Sequence, residues 1–319
     1  MRLRELSVEA YAREVLPQTA ELWAGRRSFD AYAEQTLALA TSAYGKRSYR
    51  TIGLYDGGTL VASFKRYERT VQDRAQKLRA FGFGAVFTPP EYRGRGYASI
   101  LVASVLDAAR ADGYDVAFLF SDIRPQFYAE LGFRALPSRE FSLHADALPS
   151  GRLAPARLDS DEDWRAVRRC YEFTSRRGGI GFGRNATLWG WTRLRIAHGS
   201  EHRTGDTVNL VVRRGKVISA YILGVRVAQR DTYVVDEYGF GSEAAAATIP
   251  ALLRAAAGDL RRIAGWLPPA GARDLLPRLS VRRRDGAVLM MAPLQPRGAE
   301  LIDRITAEKL EIGWATDHI

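Results

Sequence analysis

Between Phe87 and Ala98 the chain reads Phe-Thr-Pro-Pro-Glu-Tyr-Arg-Gly-Arg-Gly-Tyr-Ala, and this stretch constrains the fold more than any other. The extended run Lys77 to Thr88 leads into it and is ended by Pro89 and Pro90, because proline cannot donate to a sheet ladder. Tyr97 to Asp112 follows with Leu101, Val102, Val105, Leu106 and Ala109 at helical spacing, closed by Gly113. A strand thus passes into a helix through a turn holding two glycines and two arginines. The first turn of a helix leaves N–H groups unpaired and carries partial positive charge, so it receives phosphate oxygens. Gly94 and Gly96 let the main chain come close, and Arg93 and Arg95 add charge-assisted bonds. The spacing disfavours a GxGxxG dinucleotide fingerprint, and the lack of a following Gly-Lys-Ser/Thr excludes a Walker loop.

The elements around this turn read α, α, β, β, β, α, β, α, β. Residues 5 to 42 are helical in two stretches. Tyr49 to Leu54 and Leu60 to Tyr67 form a hairpin about Asp56-Gly57-Gly58, an Asp-Gly turn between apolar runs. Val116 to Phe120 is continuously apolar, as in a strand covered on both faces. A short helix from Pro125 to Glu130, then Leu131-Gly132-Phe133, leads to a last strand, Glu140 to His144. Ala147 to Asp163, rich in Pro, Gly, Ser and Asp, is the expected linker. The second half repeats the order hairpin, strand, helix, strand: Thr207–Val212, Val217–Val225, Thr232–Tyr238, an alanine-rich helix over 244–264, and Val288–Pro293. It has no second glycine-rich loop. The expected fold class is α/β (α+β) with a mixed central sheet, the expected domains being 1–148 and 149–319.

At Arg93-Gly94-Arg95-Gly96-Tyr97-Ala98 the sequence resembles the GNAT superfamily of N-acetyltransferases, whose pyrophosphate loop is Arg/Gln-x-x-Gly-x-Gly/Ala. Phe127-Tyr128-x-x-x-Gly132-Phe133 follows in family order, so the resemblance covers roughly residues 50 to 145. With its second lobe the chain is similar to the "enhanced intracellular survival" type of acetyltransferase, though it ends before the sterol-carrier-like third domain such proteins usually carry. The resemblance implies acetyl-coenzyme A as co-substrate. Arg93, Gly94, Arg95, Gly96, Tyr97 and Ala98 would hold the diphosphate, and the main chain of Ala85, Val86 and Phe87 the acyl and pantetheine groups. It implies Tyr128 as general acid, a phenol being protonated at neutral pH, and, by analogy with two-lobed relatives, the carboxylate of Ile319 as base. Glu91, at the strand end, and a water chain are the other base candidates, while Asp122 could orient Tyr128 or face solvent. The expected reaction is acetyl transfer to a primary amine of a small molecule, the alternatives being a protein or peptide N-acetyltransferase or a non-catalytic acetyl-coenzyme A sensor. Trp23, Phe29 and Tyr32 could stack on a cationic acceptor, though such aromatics more often simply form core. Trp189 and Trp191, with Arg193 and Arg195, read as a helix packed between lobes.

Composition limits the partners. The net charge of +11 attracts anions, but the basic residues form no single run and no aromatic-interleaved RNA motif appears, so nucleic acid is not an expected partner. No apolar stretch has the length of a membrane helix and the first residues lack a signal peptide's apolar core, so a cytoplasmic protein without a membrane partner is expected. Homo-oligomerisation is left open. One cysteine, Cys170, allows no intrachain disulfide. His144, His198, His202 and His318 are scattered, and no metal site is expected.

Overall fold

A computed structural model describes residues 1–150, 153–158, 160–200 and 204–318 of the 319. Two mixed sheets carry the chain. The first runs β1 (Arg2–Leu6), β2 (Tyr49–Asp56), β3 (Thr59–Asp73), β4 (Gln76–Phe87), β5 (Val116–Ser121), β16 (Val288–Pro293) and β6 (Arg134–Ala135), with β9 (Ile180–Gly183) added to β3. The second runs β15 (Ser280–Arg283), β7 (Arg139–His144), β14 (Arg262–Trp266), β13 (Thr232–Phe240), β12 (Val217–Val227), β11 (Leu210–Arg214) and β8 (Ala156–Arg157), with β10 (Asp206–Thr207) beside β12.

Both sheets contain the same unit. In the first, β4 crosses through helix α5 (Tyr97–Ala111) to the parallel strand β5; in the second, β13 reaches the parallel β14 through α9 (Glu243–Ala246) and α10 (Ile249–Ala257). The α5 face expected from spacing is buried. Leu101, Val102, Val105, Leu106 and Ala109 lie with Phe64, Phe81 and Phe83 of the sheet in one apolar cluster. Each large side chain so buried contributes roughly 1.5–3 kcal/mol.

Three expectations are corrected. The strand expected to complete the first half, Glu140–His144, pairs with β14 and β15 in the second sheet. The late strand Val288–Pro293 pairs with β5 and β6 in the first. The halves therefore exchange strands, a long-range pairing that leaves no local mark in sequence. The helix expected over 244–264 stops at Ala257, because Gly258 turns the chain at φ 62°, and Ile263 lies in a strand. Unforeseen elements include β1, β9 and α7 (Asp161–Gly178). Helix α7 opens with Ser160 accepting from the Asp163 N–H and the Asp163 carboxylate accepting from the Ser160 N–H.

The remaining helices set the two lobes against each other. Those before the first hairpin, α1 (Val8–Glu14), α2 (Leu16–Trp23), α3 (Phe29–Thr41) and α4 (Gly45–Ser48), cover one side of the first sheet. A short α6 (Pro125–Ala129) follows β5. Helix α8 (Ala186–Ser200) reaches both lobes. Its Trp191 ring lies 5.6–5.8 Å from those of Tyr44, Tyr49 and Tyr67, while Trp189 meets Tyr171 of α7 at 5.3 Å. Short α11 (Ala270–Arg273) packs on α7, and α12 (Pro296–Ala307) lays Leu301, Ile302 and Ile305 on Phe118 and Phe120.

Candidate active site

The site begins with a fault in the sheet. Ser63 of β3 faces Phe87 of β4, yet Lys65 faces Gly84, so β4 spends three steps where β3 spends two. The extra residue is a bulge at Ala85–Val86, and Ala85 sits at φ 46°. On its other side β4 pairs with β5 only from Ala80–Val116 to Phe83–Leu119. Beyond that pair the two parallel strands run on to Phe87 and Ser121 without bonding to each other. A wedge opens between them, lined on one side by the main chain of the bulge. Ala85 and Val86 are half-buried between buried Gly84 and Phe87.

The glycine turn lies past the end of β4. Gly94 and Gly96 have φ 79° and 78°, and nothing stands within 4 Å of where a Cβ would be on either. Gly96 caps α5 without a side chain, leaving the Tyr97 and Ala98 ends of the helix open to an external acceptor. Arg93 donates from Nε to the Thr88 carbonyl at 3.1 Å, and Arg95 lies over the Tyr92 ring at 5.7 Å. Neither arginine has a carboxylate partner among the described residues. Open space, unpaired amides and two guanidinium groups without carboxylate partners fit a diphosphate. The adjoining wedge fits the narrow arm that would follow it.

Tyr128 stands on α6, with its ring 5.0 Å from Phe127 and 5.9 Å from Phe133. Burial, reinforced by the Asp122 charge, pushes its phenol up to about 12. Asp122 accepts the Ala287 N–H at 3.0 Å, and its carboxyl is held below the ordinary range chiefly by His318. His318 Nε2 lies 3.4 Å from Asp122 Oδ2, without hydrogen-bond geometry. Its ring meets Phe120 edge-on at 5.4 Å and Trp266 at 5.8 Å. Glu91 is exposed.

The approach of His318 follows from a buried charge network that sequence reading missed. Asp317 accepts from Arg69 of β3 at 2.6 Å and from Arg184 at 2.9 Å. Arg184 also reaches Glu237 of β13 at 2.8 Å, and Glu237 accepts from Tyr221 at 2.5 Å. All four charged side chains are at most 2% exposed. Burial alone would raise the Asp317 carboxyl, but Arg184 and Arg69 together pull it below its ordinary value. Arg195 of α8 donates to the Thr316 and His318 carbonyls, and Trp314 packs on Tyr238 at 4.8 Å. Both lobes therefore grip residues 314–318. The last residue, Ile319, lies outside the described residues, as does His202.

Of the aromatic acceptor candidates, Trp23 meets Phe87 edge-on at 6.2 Å, beside the wedge. Tyr32 is buried in the core with Tyr11, and Phe29 is exposed. Cys170 is buried, its thiol pushed up to about 11. Among the described residues no group of three His, Cys, Asp or Glu is arranged to hold a metal ion, and no helix is long and apolar enough to cross a membrane.

Comparison with known proteins bears on this geometry. The family model "Acetyltransferase (GNAT) domain" matches residues 8–136. A "Lysine acetyltransferase" of Yarrowia lipolytica is 34% identical over 109 residues, which are 32% of this chain and only 28% of that protein. The crystal structure of a GCN5-related N-acetyltransferase from Kribbella flavida superposes with a TM-score of 0.68 at 20% identity, over 93% of this chain and 73% of that one. Eis1 from Mycobacterium abscessus gives a TM-score of 0.63 at 15% identity, over 92% and 73%. At these identities the two structures establish a shared fold.

Proposed function

We propose that this chain, which carries a GNAT acetyltransferase domain over residues 8–136, moves an acetyl group from acetyl-coenzyme A to a primary amine of a small molecule. The observation that carries this reading is the wedge between β4 and β5 lying beside an uncapped, arginine-flanked helix start.

In this reading Arg93, Arg95 and the first N–H groups of α5 bind the diphosphate, with Gly94, Gly96, Tyr97 and Ala98 forming the loop. Ala85, Val86 and Phe87 hold the acyl arm along the bulge. Their main-chain N–H groups receive the carbonyl oxygen as negative charge develops on it, a preorganised arrangement that needs no particular side chain. The co-substrate supplies an activated thioester. The amine forms the new C–N bond as the C–S bond breaks, and Tyr128 gives its proton to the departing sulfur. Asp122 and burial keep that phenol protonated until it is needed. The ammonium proton goes to the Ile319 carboxylate, the base suggested by the likeness to two-lobed acetyltransferases.

Release of free thiol on mixing acetyl-coenzyme A with a panel of small amines tests the reading. Tyr128→Phe is expected to lower turnover by about 10²–10⁴-fold with coenzyme A affinity unchanged. Equal turnover in that variant removes Tyr128 from its role. The name of the Yarrowia relative favours one second reading, an acceptor amine carried by lysine, free or within a peptide. Comparing free lysine with a lysine peptide in the same panel separates the two.

A further inference from the structure

A second concave site lies where β3, β4 and α7 meet. This cleft has a volume of about 590 Å³ and is lined by seven cationic side chains against two carboxylates. It stands at the start of β4, whereas the wedge is at its end. From Arg79 to Phe87 is eight steps of strand, roughly 26 Å.

The charges in the cleft are not balanced within it. Glu68 already accepts from Arg66 and Tyr114, and Glu172 pairs with Arg168. Arg69 and Arg184 are held by Asp317 and Glu237 in the buried network. Arg74, Lys77 and Arg176 have no ion-pair partner among the described residues, and each is exposed at the cleft. Arg79 lies over the Tyr114 ring at 4.2 Å and donates to the Asp112 carbonyl, which leaves its charge unneutralised. The 15-residue helix α8 starts here as well. Asn185 caps it by accepting the Leu188 N–H at 2.8 Å, and its partial positive end adds to the field. Like charges gathered on a concave wall repel one another and concentrate a positive potential, and a bound polyanion relieves both.

We propose that this cleft is a second anion site, built for a compact phosphate-bearing ligand with at least two anionic groups. Arg74 and Lys77 would meet it from the β3–β4 turn and Arg176 from α7, so a bound ligand bridges the lobes. The site does not depend on the transfer chemistry, and its test rests on the proposed coenzyme A site only to block the α5 turn. It also repels a lysine or polyamine acceptor, which sets it apart from any pocket for the amine.

Inorganic pyrophosphate is the probe. It is titrated calorimetrically, at low salt, into the full chain saturated with coenzyme A, so that the α5 turn is blocked. One-site binding is expected, weakening as salt is added. The triple variant Arg74→Ser, Lys77→Ser, Arg176→Ser is expected to bind at least tenfold more weakly, with unchanged coenzyme A affinity and unchanged thermal midpoint. Should the triple variant not fold, Arg176→Ser alone, an exposed position, is expected to lose at least threefold. Gly96→Val is expected to keep the pyrophosphate affinity of the parent. Absence of binding to the saturated chain, or an affinity unchanged in the triple variant (in Arg176→Ser where the triple variant does not fold), overturns the proposal.

Discussion

Asp317 shows how much a single side chain does here. It joins a strand of the first lobe, the entry to α8 and the tail, and it is almost wholly buried. Asp317→Asn leaves Arg69 and Arg184 short of a counter-charge, which costs about 3–5 kcal/mol when a buried pair is broken. Urea unfolding at neutral pH measures that loss. The sign of its pH dependence follows from the carboxyl being held below its ordinary 3.8 in the folded chain. Its contribution is complete above that value and is lost as the pH falls through the lower folded one. The gap between wild type and Asp317→Asn should therefore narrow in acid, and a gap that stays constant down to pH 2 would refute the assignment. Tyr128 gives a second titration. With its phenol pushed up to about 12, turnover should show no alkaline decline from this group up to about pH 10. A decline near pH 8 that disappears in Tyr128→Phe would contradict the shift.

At the scale of elements, the parts nearest the glycine turn were legible because their signals are local. Proline stops, an Asp-Gly hairpin and the spacing of Leu101 to Ala109 each report on neighbouring residues only, and β4, β5 and α5 lie within a residue or so of their expected bounds. Leu101→Ala, at a fully buried position of α5, should cost about 2–5 kcal/mol in a denaturant titration. A change under 1 kcal/mol would mean that the helix does not seat on Phe64, Phe81 and Phe83 as described. The bulge at Ala85 was not legible, since it arises from the register of two strands, and neither was the partnership of Asp317, Arg184 and Glu237, which are far apart in sequence. The alanine-rich run was misread because good helix formers extend past Gly258 into a strand whose apolar residues fit either pattern.

For the whole molecule, the exchange of β7 and β16 makes the two sheets interdependent. A fragment ending near residue 150 lacks β16 and exposes the edge of β5, and the remainder lacks β7, the strand that joins β15 to β14. Each half expressed alone is expected to be insoluble or unfolded, and the two co-expressed to form one complex; a soluble, folded 1–150 fragment would contradict this interdependence. The docked tail adds a further tie, because residues 314–318 are held by groups from both lobes. Such an assembly holds the wedge, the glycine turn and Tyr128 in fixed relation, which is what the proposed transfer between two bound molecules requires. Calorimetric titration of coenzyme A into the full chain and into Gly96→Val tests this most directly. At φ 78° a valine forces the helix start to move. The expected result is one-site binding to the parent chain and at least a tenfold loss in the variant, with the circular dichroism spectrum unchanged. No binding to the parent chain, or equal binding to both, would contradict the account.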